Sequence, residues 1–283
     1  MLVACLSDSV NFNATVCEST VKTSKESASR STFRKMSVIL PAYNERKNIR
    51  HAILTLRELA ESSGVPEYEL IVVDDGSDDG TREEALKVAD AAHIRVVGYP
   101  RNRGKGFAVK YGIERSVGDV VFFLDSDLEI NPSGLSAYLA SLRNCDVVIG
   151  SKRHPKSRVQ APAMRRILSF AFHMLVKLLV GLKVSDTQPG LKAGRGECFR
   201  RVFGLLSVKK FAFDVEMLVV AHLLKLRIRE APVEIKLEGQ FKTREVVRMF
   251  LDILGITYRL RVKRWYQSNL NNDRPRYVPI VRW

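Results

Sequence analysis

The sequence has no Cys-x-x-Cys pair: its four cysteines, Cys5, Cys17, Cys145 and Cys198, are scattered through 283 residues. That pattern excludes a zinc cluster and a disulfide scaffold, and it fits a reducing compartment. Nor is there a run of the roughly 20 apolar residues that a membrane-spanning helix requires. The best candidate, 167–182, is interrupted by Ser169, His173 and Lys177. The apolar start is cut short by Asp8 and Asn11 with no basic residues ahead of it, so a secretory signal does not fit; neither a span nor export is expected. Acidic residues are in deficit. Lys and Arg number 46 against 31 Asp and Glu, a formal charge of +15, which points to an anionic partner: nucleic acid, a membrane surface or a phosphorylated substrate. Aromatic residues are absent from the basic stretch 151–166, where base stacking would need them, and this argues against nucleic acid. With 46% hydrophobic residues the chain can bury one large α/β core or two modest ones.

Residues 1–35 hold 11 Ser or Thr and no sustained period, which predicts a mobile leader. From 37 onward short β-branched runs alternate with helical patterns. Strands are predicted at 37–40, 70–73, 94–97, 120–124 and 147–149, and helices at 45–61, 81–91, 106–117 and 133–143. This βαβαβα series implies an α/β fold with a doubly wound, largely parallel sheet. In such a sheet ligands collect beyond the carboxyl ends of the strands. After Gly150 the pattern changes: 151–166 carry six Lys or Arg and no acid, and an apolar helix is predicted over 164–182. Another runs from 243 to 266, with Val246, Val247, Phe250, Ile253, Leu254 and Tyr258 at helical spacing and basic residues between them. The expected organisation is a leader (1–35), one domain (36–240), a basic amphipathic helix (241–266) and an irregular tail (267–283).

The chemistry-bearing residues fall at strand ends. Leu40-Pro41-Ala42-Tyr43-Asn44-Glu45 follows the first strand, Asp74-Asp75-Gly76-Ser77 the second, and Asp125-Ser126-Asp127-Leu128-Glu129 the fourth. One such loop alone reads equally well as a turn with Asp or Ser capping a helix. Three on one edge crowd carboxylates that repel unless a cation sits among them, and hard divalent ions prefer oxygen ligands. If the chain stays extended past the fourth strand, alternation sets Asp125, Asp127 and Glu129 on a common side, where Asp127 and Glu129 would both face Mg²⁺ or Mn²⁺. Such an ion would stabilise a nucleotide diphosphate as leaving group. Arg101-Asn102-Arg103-Gly104-Lys105-Gly106 precedes a helix start that can attract an anion, although it lacks the P-loop pattern.

The order and spacing of Pro41-Ala42-Tyr43-Asn44-Glu45, Asp74-Asp75-Gly76-Ser77-x-Asp79-Gly80-Thr81, Arg103-Gly104-Lys105-Gly106, Asp125-x-Asp127 and Gly150-Ser151-x-Arg153 resemble the family 2 glycosyltransferases with the GT-A fold. The resemblance covers about 36 to 242. Asp186-Thr187-Gln188-Pro189-Gly190-Leu191-Lys192 and Phe211-x-Phe213-Asp214-Val215-Glu216 are similar to the dolichyl-phosphate glucosyltransferase branch of the polyprenyl-phosphate enzymes, more than to the mannosyl branch. The resemblance implies that Pro41, Tyr43, Glu45 and Asp75 hold the nucleoside of the donor, with Lys105 and Asp125 contacting the nucleotide. It implies Asp127 and Glu129 as metal ligands, Arg153 and Lys192 facing phosphates, and Arg165 and Ser169 meeting the lipid phosphate, with Arg166 as a rival. The implied donor is UDP-glucose, with GDP-mannose as the alternative, and the acceptor a polyprenyl or dolichyl phosphate.

A lipid phosphate is already anionic, so attack on the anomeric carbon needs positioning and charge neutralisation rather than a base. Were the acceptor a sugar hydroxyl, Asp214 or Glu216 would be the candidate base; the same two residues also read as the capped start of a helix. The basic amphipathic helices predict a peripheral enzyme on the cytoplasmic face of an anionic membrane, since each base near such a surface adds on the order of 1 kcal/mol. Core packing with solvated charge opposite is the plainer reading of the same helices.

Overall fold

A strand covered on both faces must be apolar throughout, and the runs beginning at Val38, Leu70 and Val120 meet that condition. The computed structural model describes residues 33–182, 184–187, 190–207, 212–236 and 243–271, without the side chains of 163, 165, 243–247 and 271. Along the chain these form β1 (Lys35–Ala42), α1 (Ile49–Glu61), β2 (Glu67–Asp74), α2 (Thr81–Leu86), β3 (Ile94–Gly98), α3 (Lys105–Ile113), β4 (Val120–Phe123) and α4 (Leu135–Leu142). There follow β5 (Val147–Ser151), β6 (Arg158–Gln160), α5 (Ala163–Val180), β7 (Lys192–Arg195), α6 (Gly196–Gly204), α7 (Phe213–Leu223), β8 (Ile228–Pro232), β9 (Glu234–Lys236), α8 (Thr243–Thr257) and α9 (Trp265–Asn271). A π-helical turn, Tyr258–Val262, follows α8.

Among the described residues seven strands make one sheet in the order β3-β2-β1-β4-β7-β5-β8, and β6 pairs with β9 in a small second sheet. Neighbours in the large sheet are parallel except β7, which runs antiparallel to both β4 and β5. Met36, Val38 and Leu40 of β1 face a core shared with α1 and α4. Ile39 faces the opposite core, built from α3, α6 and α7 and closed by Val176 and Val180 of α5, Ile253 and Ile256 of α8 and Tyr266 of α9. The winding reverses between β1 and β4, so a crevice opens beyond their carboxyl ends.

The five predicted strands are present, each within a few residues of its expected bounds. The antiparallel β7 and the strands β6, β8 and β9 were not expected; Lys192-Ala193-Gly194-Arg195 has no β-branched residue, and only its place between two strands makes it one. The helix expected from 45 begins at Ile49, because 45–48 form a turn in which Asn48 N and Ile49 N both donate to the Glu45 carbonyl. The helix expected to run from 81 to 91 stops at Leu86, and the one expected from 106 to 117 is Lys105–Ile113. The continuous helix expected over 243–266 is broken by the π turn and by Arg264, whose φ is 46°. Residues 267–271, expected in an irregular tail, complete α9. Of the expected leader, Phe33 is buried and Lys35 opens β1, while 1–32 lie outside the described residues, as do 272–283 of the tail.

Helix α3 lies against the sheet at Gly112, where a Cβ would come 2.4 Å from Ile39 Cγ2 and 3.0 Å from Val73 Cγ2. Those branched side chains are stiff at χ1 and cannot swing away. Gly112→Val is therefore expected to cost about 1–3 kcal/mol, read as a lower urea midpoint at unchanged slope; an unaltered midpoint would show that α3 does not seat this closely.

Candidate active site

The loops after β1 and β2 are laced together. Asn44, held at a φ of 57° that Asn tolerates better than most residues, donates its amide to Ser77 Oγ (3.1 Å) and accepts the Asp78 amide on Oδ1 (3.2 Å). Glu45 N donates to Thr81 Oγ1 (2.8 Å), and Arg46 N to Asp79 Oδ2 (3.1 Å). This lacing brings Asp79 toward Glu45 and leaves Tyr43 exposed beside them, while Pro41 stays buried in β1 opposite Val73. Burial raises the pKa of Glu45; a hydrogen bond from Asn48 opposes this, and the charges of Asp127, Asp79 and Asp125 add to it. Four carboxylates from three loops thus act on one another across the crevice.

Asp75 straps down the next segment. Its buried carboxylate accepts from Tyr99 Oη (2.7 Å), Asn102 Nδ2 (3.1 Å), Arg103 N (2.7 Å) and Gly104 N (2.9 Å). Burial, with Asp75 beside it, raises the Tyr99 phenol's pKa, so it remains a donor. Gly76, at a φ of 71°, lets the two loops meet: a Cβ there would lie 2.6 Å from the Arg101 carbonyl carbon. The strap ends at Lys105, the first residue of α3, whose ammonium reaches Asp125 Oδ1 at 2.5 Å.

Beneath this pair lies a second. Lys192 Nζ and Asp214 Oδ1 are 2.6 Å apart, and both side chains are buried, with Lys192 over the Phe123 ring. Burial pushes Lys105 toward neutrality, but the carboxylates of Asp125, Asp214 and then Asp127 outweigh it, and its pKa is raised. For Asp214 burial wins: its pKa is raised although Lys192 and Lys105 both pull it down. The order Asp125, Lys105, Asp214, Lys192 is an alternating run of charge from the crevice into the core. Lys192 was expected to face phosphates; it is wholly buried, because its strand turns the side chain inward onto α7, and it meets Asp214 instead.

The expectation of an extended chain past β4 is overturned. Leu128 takes a φ of 50°, its amide donates to the Asp125 carbonyl (3.3 Å), and the Glu129 amide donates to Asp127 Oδ1 (3.1 Å). Asp127 and Glu129 are neighbours through a turn, not through alternation, and the Glu129 carbonyl goes on to accept Lys236 N from β9. Asp127 is exposed and Glu129 partly so. Among the described residues no three His, Cys, Asp or Glu side chains are grouped to hold an ion by themselves. One or two hard carboxylate oxygens beside a diphosphate are, however, what Mg²⁺ characteristically uses, so the donor set fits.

Two further motifs meet on the far side of the crevice. Lys152 N donates to Asp186 Oδ2 (3.0 Å), the hydroxyls of Ser151 and Ser185 are 2.9 Å apart, and Ser185 is held in turn by Glu230. Arg153 is exposed, its guanidinium 5.4 Å from the Phe170 ring of α5. On that helix Ser169 and His173 share a face four residues apart, and the pKa of His173 is lowered by burial and by Arg153. Arg165, four residues before Ser169, has its side chain outside the described residues, as do Gln188, Pro189 and Phe211 of the motifs. Arg166 is exposed. Met164, Ile167, Phe170, Met174 and Leu178 form an exposed apolar stripe along α5. Helix α8 packs against α5 and exposes Phe250, Leu251 and Leu254; Ile253, expected on the same face, is fully buried in the core. The side chains of Val246 and Val247 lie outside the described residues.

The family model for "Glycosyl transferase family 2" matches residues 37–203. The chain belongs to that family. Curated relatives of this transferase include the dolichyl-phosphate beta-glucosyltransferase of Mus musculus, 34% identical over 219 residues, with 72% of this chain and 68% of the relative covered. The protein of the same name from Drosophila melanogaster is 36% identical, covering 70% and 66%. Among solved structures, a glucosyl-3-phosphoglycerate synthase from Mycobacterium tuberculosis, in complex with Mn²⁺, uridine diphosphate and phosphoglyceric acid, superposes with a TM-score of 0.61 at 22% identity over 81% of the transferase and 78% of that chain. That likeness shows the GT-A fold.

Sequence reasoning missed Tyr99 and Asn102, which hold Asp75, and the pairing of Lys152 with Asp186. Each bond joins residues more than 20 positions apart, and no local pattern announces it. Because one carboxylate restrains the whole 99–104 segment, Asp75→Asn is expected to speed tryptic cleavage after Arg101 and Arg103 about tenfold, the effect of losing roughly 1.4 kcal/mol of local stability. Unchanged cleavage, followed by mass spectrometry, would mean that the segment is held by other contacts.

Proposed function

We propose that the chain transfers glucose from UDP-glucose to a polyprenyl or dolichyl phosphate, with inversion and with Mg²⁺ or Mn²⁺, while lying peripherally on the cytoplasmic face of a membrane. The observation that carries the acceptor class is the commitment of both candidate bases. Asp214 is buried against Lys192, and Glu216, wholly buried, accepts from Ser207 N (2.9 Å) and from Tyr266 and Arg259. With neither carboxylate placed to deprotonate a hydroxyl, an acceptor that brings its own anionic oxygen is favoured. The relatives at 34% and 36% identity support the same acceptor.

The residues divide the work. Pro41, Tyr43, Glu45 and Asp75 border the nucleoside, Asp75 chiefly by fixing the segment that ends at Lys105. Lys105 and Asp125 lie where the diphosphate enters. Asp127 would hold the ion, oriented by the Glu129 amide, with the Glu129 carboxylate as a second oxygen donor in the same turn. When bound, a divalent ion would neutralise the leaving diphosphate. Arg153, Arg165 and Ser169 border α5 and would orient the acceptor phosphate for in-line attack on the anomeric carbon; a single displacement at an α-linked donor gives a β-linked product. Lys192 acts from below by fixing Asp214.

Incubation with UDP-glucose, dolichyl phosphate and Mg²⁺ is expected to yield a glucosylated lipid phosphate identified by mass, and Asp127→Ala or excess chelator to abolish it. Full activity in chelator, or transfer to a free sugar hydroxyl only, would overturn the reading.

Membrane attachment rests on the stripes of α5 and α8, because no helix among the described residues is long and apolar enough to cross a bilayer. Each apolar side chain that inserts contributes roughly 1.5–3 kcal/mol, and the basic residues around them add attraction to anionic lipid. At about 1 M salt the screening length is near 3 Å, so binding by charge alone would vanish. A substantial fraction is expected to remain on anionic vesicles until detergent is added, and Phe250→Glu to release the folded protein. Failure of the wild-type chain to bind vesicles even at low salt would refute peripheral attachment.

A further inference from the structure

Asp125 is engaged on both oxygens. Lys105 holds Oδ1 at 2.5 Å, and Gly190 crowds Oδ2 so closely that a Cβ there would fall 1.9 Å from it. A divalent ion approaching the Asp125–Asp127 turn therefore meets a lysine ammonium already in place, and two cations at one carboxylate repel strongly at the low effective dielectric of a protein crevice. Yet Lys105 has a second partner. Asp214 is the next carboxylate to stabilise its charge, and Asp214 is itself anchored by the buried 2.6 Å bond to Lys192. Lys105 can leave Asp125 without being stranded as an unpaired, partly buried cation.

We propose that Lys105 is the resident counter-cation of Asp125 and gives up that place when a nucleotide diphosphate binds, making divalent-ion binding conditional on the nucleotide. The diphosphate supplies the charge that draws the ammonium off Asp125; Asp214 keeps it in the site; and the turn at Asp125–Asp127 is then free to take the ion together with the phosphate oxygens. No bond forms or breaks. This step rests on the donor reading given above, but not on the acceptor.

The test is direct Mn²⁺ binding by the full chain, followed from the electron paramagnetic resonance signal of free Mn²⁺, with and without UDP or UMP. The wild-type chain is expected to bind Mn²⁺ weakly alone and at least about tenfold more tightly with UDP; UMP, lacking the second phosphate, should not tighten it. Lys105→Met is expected to raise nucleotide-free Mn²⁺ affinity about tenfold while weakening UDP, two effects of opposite sign that a merely unfolded or loosened site would not produce. Lys105→Arg, which keeps the charge, should not raise it. Should Lys105→Met fail to fold, the wild-type comparison decides: equal Mn²⁺ affinity with and without UDP overturns the exchange. So does a folded Lys105→Met chain whose nucleotide-free Mn²⁺ affinity is unchanged or lower while UDP and Mn²⁺ still bind the wild type, and in that case the donor reading survives. Absence of any UDP binding to the wild type, by calorimetry, would remove both.

Discussion

Like charges gathered at one edge of a sheet repel, and this fold gathers them by construction. Parallel strands deliver the loops carrying Glu45, Asp75 and Asp125 to the same side, and in a site shielded from water their mutual repulsion is costly. The response is layered. Asp75 is neutralised by four hydrogen-bond donors, which turn a destabilising charge into the strap for the 99–104 segment. Asp125 is offset by Lys105, and Lys105 is seconded by Asp214 and Lys192. The upper part of the crevice around Glu45, Asp79 and Asp127 has no such lysine beneath it, and there the pKa of Glu45 is raised. The uneven compensation leaves one place where an added cation relieves repulsion.

Helix α7 joins this site to the rest of the molecule. Its first turn carries Asp214 toward the site, while Glu216, two residues on, binds Arg259 of the π turn and Tyr266 of α9. A wholly buried carboxylate is tolerated only with partners of this kind. The residues that resemble a catalytic pair are thus two anchors, one for the lysines of the site and one for the C-terminal helices. Those helices have divided faces: Ile253 and Ile256 enter the core, whereas Phe250, Leu251 and Leu254 remain outside beside the stripe of α5. Both readings of the helical period are realised, each on its own face.

The strands of the βα series were legible because burial on both faces leaves a continuous apolar run, and the polar loops stood out as the interruptions between such runs. Helix ends were less legible. Residues 45–48 carry helix-compatible side chains but are claimed by hydrogen bonds to Thr81 and Asp79, and the α2 pattern is cut short before the bridge between Asp90 and Ile94. Strand β7 could not be read at all, since Ala193 and Gly194 have little strand preference and are recruited by ladders on both sides.

The sequence by itself determined the class of fold, the sheet edge on which the polar loops meet, and the identities of Asp75, Lys105, Asp125 and Asp127 as residues of one site. These follow from alternation of apolar runs with loops, which is local information. Only the tertiary structure decided which charge answers which: that Lys192 is buried with Asp214 instead of lining the crevice, that Asp127 and Glu129 meet through a turn, that Glu216 belongs to the C-terminal helices, and that Lys105 occupies Asp125. Each of these pairings joins side chains whose burial and separation are set by packing between distant segments, and the energy of a charge depends on those two quantities, neither of which is written in the order of residues along the chain.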